Sequence, residues 1–252
     1  MSAVLFAIPA SPPCAVAERV LELKGIPYRR VERVPVASRV IQRVRFGTTR
    51  VPVVQLDDGT RINGSRAIVH ALDERVAEPA VLPVDGDARA RVERAEEWGD
   101  EVLQSLMRRV FWATLKRAPG SLTSYSEGAR VPVPDALAGL GAPVLARLAA
   151  KVNGADDLSI RADLLALPAH LDRIDHWIAD GTLGGDAVNA ADLQVGANLR
   201  LLLTLGDLAP LIDARPAGAL ARRVFARYPG SAPDGVLPPA WLPPVSGAGA
   251  SP

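Results

Sequence analysis

The chain has a single cysteine, Cys14, among 252 residues. That excludes an internal disulfide framework and a cysteine-only metal site. Excess charge of either sign is missing as well: 29 Lys and Arg stand against 28 Asp and Glu, a formal net charge of +1. Neither nucleic acid nor an anionic membrane surface is therefore expected as a partner. No uninterrupted apolar run is long enough to cross a bilayer, so no membrane segment is expected. The start has no charged n-region, apolar h-region and cleavage site, so no signal peptide is expected and a cytoplasmic, reducing location is. The three histidines, His70, His170 and His176, fall on expected helices, and Asp172 and Asp175 lie near two of them. No HExxH or Cys/His spacing accompanies them, so no metal is expected. A Walker-type loop, a dinucleotide fingerprint and a Gly-x-Ser-x-Gly elbow are all lacking.

What is present is a large apolar fraction, 48% of the residues, enough for a sizeable core in one large or two modest domains. Val4–Ile8, closed by Pro9, reads as a buried strand. Ser11 is a plausible N-cap and Pro12 a plausible first residue of a helix running to Lys24. Cys14, Ala17, Val20 and Leu21 face inward on it, and Gly25 stops it. A second strand is expected near Tyr28–Val34. Ser38 is a candidate cap for a short helix over Arg39–Phe46, ended by Gly47. Val51–Leu56 is β-branched and apolar, Asp57-Asp58-Gly59 is turn chemistry, and Thr60–Ile62 is a return strand. Ser65 then precedes an apolar set at Ala67, Ile68, Ala71 and Leu72 and reads as a helix N-cap. Strands alternating with helices argue for an α/β layer fold. Pro52, at a strand start, has no N–H to give the ladder. A cis bond there would turn the main chain of Val51 outward, free to pair with an extended ligand.

Arg50-Val51-Pro52, a strand, an Asp-Gly turn, a second strand and Ser65-Arg66-Ala67-Ile68 opening a helix together resemble the glutathione site of the glutathione S-transferase family. The resemblance implies a thioredoxin-like α/β N-terminal domain followed by an all-α helical-bundle domain. It also implies glutathione as co-substrate, a small apolar electrophile as second substrate, and a homodimer. In its serine-type members a hydroxyl at the place of Ser11 donates to the glutathione sulfur and stabilises the thiolate, which is pKa lowering by hydrogen bonding to the charged form. The plainer reading of Ser11 is a helix cap alone. Cys14 is the rival: Ser11-Pro12-Pro13-Cys14 resembles a glutaredoxin Cys-x-x-Cys whose first cysteine is replaced. Its helical phase instead suits a small core hydrophobe. The resemblance places the γ-glutamyl carboxylate at Ser65 and Arg66, where a helix N-terminus favours an anion. Gly64 stands where the family usually has Glu, Asp or Gln, which shifts that part of the task to Asn63 or to a partner subunit. Arg39, Arg43, Arg45 and Arg50 read either as a solvated face or, for Arg50, as a partner of the glycyl carboxylate.

The expected organisation is a glutathione-binding domain over 1–78, a linker over 79–86, a helical domain over 87–230 and a Pro/Gly-rich tail over 231–252. Asp87 is the expected cap of a long helix whose inner positions are Ala88, Val92, Ala95, Trp98, Val102, Leu106 and Val110. Residues 121–143 read as a loop with at most a weak helical turn. Phe111, Trp112 and Tyr125 are candidate walls of an electrophile pocket or, as readily, core. Val144–Val152 reads as a helix. Asp156 or Asp157 caps the next, with an inner stripe of Leu158, Ala162, Leu165, Ile174 and Ile178 and a kink at Pro168. Asn189 and Asp192 form an expected capping box before a helix apolar nearly all round, which belongs mid-domain. Leu208–Ala214 and Pro216–Tyr228 close the helical set. Trp241-Leu242 is a candidate anchor for the tail, and Ser246–Pro252 reads as disordered. Two other functions fit the same features: a non-catalytic binding module of this fold, and a glutathione-dependent thiol reductase using Cys14.

Overall fold

Ala3–Ala7 forms the first strand, β1, because its five small or apolar residues can be covered on both faces. The computed structural model describes residues 1–32, 51–126 and 135–243. The expected helix over Arg39–Phe46, the basic residues Arg39, Arg43, Arg45 and Arg50, and the final residues from Ser246 lie outside them. β2 is Tyr28–Glu32, β3 Val53–Leu56 and β4 Arg61–Asn63. The sheet order is β2-β1-β3-β4. β1 runs parallel to β2 and antiparallel to β3, with Phe6 opposite Val53, and β3 pairs with β4 so that Val53 lies opposite Asn63.

Helix α1, Pro12–Leu23, buries Cys14, Ala17, Val20 and Leu21 as its sequence phase requires. Gly25 ends it at φ +62°, and the Ile26 N–H reaches the Leu21 carbonyl at 2.9 Å, a Schellman closure. Helix α2 is Ser65–Arg75. The Ile68 N–H donates to the Gly64 carbonyl at 3.0 Å, so the N-cap is Gly64 and Ser65 is the first helical residue: the helix starts one residue earlier than the sequence suggests. Gly64 has φ +93°, a conformation in which a Cβ is strained.

The helical region begins with α3, Gly86–Trp98. Asp85, not Asp87, caps it by accepting from the Ala88 N–H at 2.8 Å. The stretch expected as a linker is not exposed throughout, since Val81 and Leu82 are buried. A π turn over Gly99–Leu103 joins α3 to α4, Gln104–Arg117. The inserted residue advances the face, so Leu103 is buried and Val102, expected inside, is 40% exposed. A 3-10 segment, Pro119–Ser126, follows, and α5, Asp135–Val152, then continues through Pro143. Much of the expected loop is therefore helical. In α6, Asp157–Ala179, Asp156 is the cap and accepts from the Ser159 N–H at 2.9 Å, and the helix continues through Pro168. Its inner residues are Ile160, Leu164, Leu167, Leu171 and Ile174, while Leu158 and Leu165, expected inside, are 80% and 74% exposed.

Helix α7, Ala190–Leu202, is buried along its whole length and carries the expected Asn189–Asp192 capping box. Helix α9, Pro216–Val224, packs beside it, and the short helix α8, Ala209–Asp213, packs against α9. α9 stops at Val224, four residues before the expected end. Arg200 takes up the carbonyls this releases, donating to Phe225 O at 2.8 Å and Ala226 O at 3.4 Å. The Arg117 guanidinium lies 5.0 Å from the centre of the Trp241 ring and anchors the tail there. A thioredoxin-like sheet domain followed by a helical region is the architecture the sequence implies.

Candidate active site

Pairing within the sheet fixes what lies near what. The end of β1 leads to Ser11, the start of β3 follows Val51-Pro52, and the end of β4 leads to Gly64-Ser65. The antiparallel register of β3 with both neighbours brings these three segments to one edge of the sheet. The Val51–Pro52 bond is cis, and the Pro52 carbonyl accepts from the Gly64 N–H at 3.0 Å, tying two of the segments together.

The two helix N-termini at this edge differ as anion sites. α2 begins with Ser65, Arg66 and Ala67, three backbone N–H groups ahead of the first intrahelical bond. No acidic residue sits in its first turn, and no side chain caps it. Donors and dipole therefore both favour a carboxylate there. The Arg66 side chain is turned aside to Glu96, at 3.2 Å, and Glu97, at 3.5 Å. Glu96 is fully buried and also meets His70 Nε2 at 2.7 Å. That contact holds the His70 pKa above its ordinary value, against the opposing effect of burial.

α1 begins with Pro12 and Pro13, which have no N–H. The Ala15 N–H is spent on Ser11 O at 2.9 Å. One first-turn amide, that of Cys14, remains. The backbone contribution expected of this helix end is thus largely stripped away, and the Ser11 hydroxyl, which makes no capping bond, is its main donor. Ala10, just before it, has φ +52°, the left-handed region that a Cβ disfavours. Its carbonyl accepts from the Tyr228 hydroxyl at 3.3 Å.

Cys14 is 1% exposed. Burial pushes its thiol up, and its contacts with the Ser11 side chain, the Ile8 backbone and the Arg30 charge only partly offset this. A thiol in that setting is a poor nucleophile. Phe111 and Tyr125 are buried, and Phe111 stacks edge-on against Trp112 at 5.2 Å and Tyr125 at 4.9 Å. Tyr125 Oη bonds to Thr204 Oγ1 at 2.8 Å, and burial lifts its phenol pKa to about 12. These three rings do not line the cavity of about 380 Å³ that opens beside Ser11. That cavity lies between α1 and the chain leaving α9, with Phe225, Arg227 and Tyr228 on the far wall. The sequence reading places those residues on a helix; Pro229-Gly230, just beyond them, is the signal that the chain turns there. Among the described residues no three His, Cys, Asp or Glu side chains gather to hold a metal ion, and no helix is long and apolar enough to cross a membrane.

Residues 5–80 match the family model of the glutathione S-transferase N-terminal domain. Solved glutathione S-transferases share the fold over nearly the whole chain. One from Rhodospirillum rubrum F11 is 21% identical with a TM-score of 0.59, over 93% of this chain and 97% of that one. One from Methylobacillus flagellatus KT, solved with glutathione bound, is 23% identical with a TM-score of 0.55, over 89% and 94%. A beta-etherase from Sphingobium sp. strain SYK-6 is 19% identical with a TM-score of 0.64, over 90% and 96%. No curated protein matches the sequence. The glutathione S-transferase fold therefore accounts for both the sheet domain and the helical region.

Proposed function

We propose that this protein is a serine-type glutathione transferase. Glutathione lies along the main chain of Val51 and Pro52 with its γ-glutamyl carboxylate on the N-terminus of α2, at Ser65 and the Arg66 amide. Its sulfur faces Ser11, whose hydroxyl donates to the thiolate and keeps it ionised for attack on an electrophile. The carrying observation is that Ser11, Val51-Pro52 and Gly64-Ser65 share one edge of the sheet. The poverty of other donors at α1 puts the thiolate's stabilisation on that one hydroxyl. A hydrogen bond to a charged group contributes about 1.5–3 kcal/mol, so Ser11→Ala should cost roughly 10- to 150-fold in turnover.

The test compares Ser11→Ala with Cys14→Ala in a glutathione conjugation assay, alongside calorimetric binding of glutathione. Cys14→Ala retains turnover and Ser11→Ala loses it if the reading is right. Loss with Cys14→Ala alone would favour the thiol-reductase reading, against which the burial of Cys14 already speaks. Gly64, which offers no side chain to the γ-glutamyl end, favours a second reading: a binding module of the same fold without catalysis. Failure of the protein to bind glutathione at millimolar concentration would support it. The family likeness further suggests a cytoplasmic homodimer, which sedimentation and cell fractionation would check.

A further inference from the structure

The cavity beside Ser11 has two walls of different electrical character. On the α1 wall the charges cancel: Arg19 pairs with Glu22 at 3.0 Å, and Glu18 pairs with Arg30. On the opposite wall, formed by the chain leaving α9, Arg223 is committed to the carbonyls of Gly184 and Gly185 at 3.1 and 3.0 Å. Arg227 is exposed and has no hydrogen-bond or ion-pair partner among the described residues. The rest of that wall is apolar, with Val224, Ala226 and Pro229 beside the rings of Phe225 and Tyr228, and Tyr228 is held in place by its bond to the Ala10 carbonyl. A cavity of about 380 Å³ is of small-molecule size, since ligand pockets run from about 300 to 1,000 Å³. It combines an apolar face, a hydroxyl at one end and one uncommitted guanidinium.

We propose that the second substrate is an aromatic electrophile bearing a carboxylate or a similar planar oxyanion. Arg227 takes the anion in its two-pronged donor geometry. The ring rests against Phe225 and Tyr228, and the reacting carbon is turned toward Ser11. This inference rests on the reading of Ser11 as the seat of the glutathione sulfur, and it narrows the electrophile from apolar to amphipathic.

The experiment uses two aryl chlorides that differ in one group: an ortho,ortho-dinitro chlorobenzene and its para-carboxylated analogue. In each reaction the glutathione sulfur forms a C–S bond, the C–Cl bond breaks, chloride leaves with the electron pair, and the thiol proton goes to solvent. Rates are corrected for the uncatalysed reaction. The wild-type enzyme should prefer the carboxylated compound. Arg227→Gln should lower the ratio of kcat/KM, carboxylated over neutral, about tenfold, chiefly through KM. Arg161→Gln, the same charge change on an exposed position of α6, should leave that ratio unmoved. An unmoved ratio in Arg227→Gln, or an equal fall in both variants, overturns the proposal.

Calorimetry of the carboxylated compound with glutathione-free protein separates this inference from the one beneath it. Binding that weakens about tenfold in Arg227→Gln, with no turnover of either chloride, upholds the anion site and defeats the transferase reading. Turnover that is indifferent to Arg227 does the reverse.

Discussion

Asp192→Ala is the substitution whose cost the structure defines best. Asp192 is fully buried. One carboxylate oxygen accepts from the Gly184 N–H at 2.8 Å and the other from the Asn189 N–H at 3.0 Å. As a helix cap alone, the residue would contribute about 1 kcal/mol. The bond to Gly184 was not foreseeable, and it ties the loop before α7 to the helix start. Removing the carboxylate leaves two part-buried N–H groups without acceptors, at about 1–3 kcal/mol each. The return bond from the Asp192 N–H to Asn189 Oδ1, at 2.9 Å, survives in the alanine variant. Relief of a buried charge offsets part of the loss, since burial pushes the Asp192 carboxyl up despite its bonds. The net expectation is about 3 kcal/mol. At about 2 °C per kcal/mol for a chain of this size, Tm should fall about 6 °C. Asp192→Asn keeps one acceptor in the same shape and should lose about half as much. Thermal melts followed by circular dichroism measure both. If both variants melt within about 1 °C of wild type, the assignment of α7's capping box as a stability determinant is wrong.

Gly64→Gln should trade stability for affinity. Its Cβ would meet nothing within 4 Å, but φ +93° strains any side-chain-bearing residue, at about 1–3 kcal/mol. An amide at that place, as in the family pattern, should lower the Kd for glutathione about tenfold by calorimetry. A lower Tm with unchanged Kd would move the γ-glutamyl end away from α2. His70 supplies a pH signature. Glu96 raises its folded pKa, so its stabilisation is complete below the unfolded value of about 6.5 and disappears as pH climbs through the folded one. The Tm gap between wild type and His70→Gln should therefore be widest near about pH 6 and narrower near about pH 9. A gap that grows with pH would contradict the His70–Glu96 pairing.

Local punctuation made much of this fold legible. Ser11-Pro12 and Gly25 bracket α1, and the inward phase of Cys14, Ala17, Val20 and Leu21 follows from that frame. Asn189 and Asp192 announced α7 in the same way. Residues whose environment is set by distant chain were harder to read. The π turn after Trp98 swaps Val102 for Leu103, and it sits where Gly99 lies tight against α7: a Cβ there would be 3.1 Å from Val195. Nothing within the helix's own pattern marks that contact. Leu158 and Leu165 misled because a leucine-rich helix offers more than one apolar stripe, and only packing decides which is covered. The Ser, Pro and Gly content of 121–143 suggests a loop, yet α5 starts at Asp135 and runs through Pro143. The candidate site divides similarly. Ser11, Pro52 and Ser65 lie in recognisable local sequence, whereas the wall carrying Phe225, Arg227 and Tyr228 arises because Arg200 captures the carbonyls beyond α9. The strained Ala10 had no sequence signal at all.

Lys24 limits how the sheet and the helices can move against each other. Its ammonium is sealed from solvent and grips Asp73 at 2.5 Å and the carbonyls of Val76 and Pro79 at 2.7 Å each. Asp73 in turn takes the Val81 amide, and the Val81 carbonyl receives the Ala190 amide. The crossing between sheet and helices is riveted, not jointed. Rocking of one half against the other is consequently a poor route for admitting substrate. Any breathing falls to the strip beyond α9, where Arg200 holds the Phe225 and Ala226 carbonyls and the Tyr228 phenol latches onto Ala10.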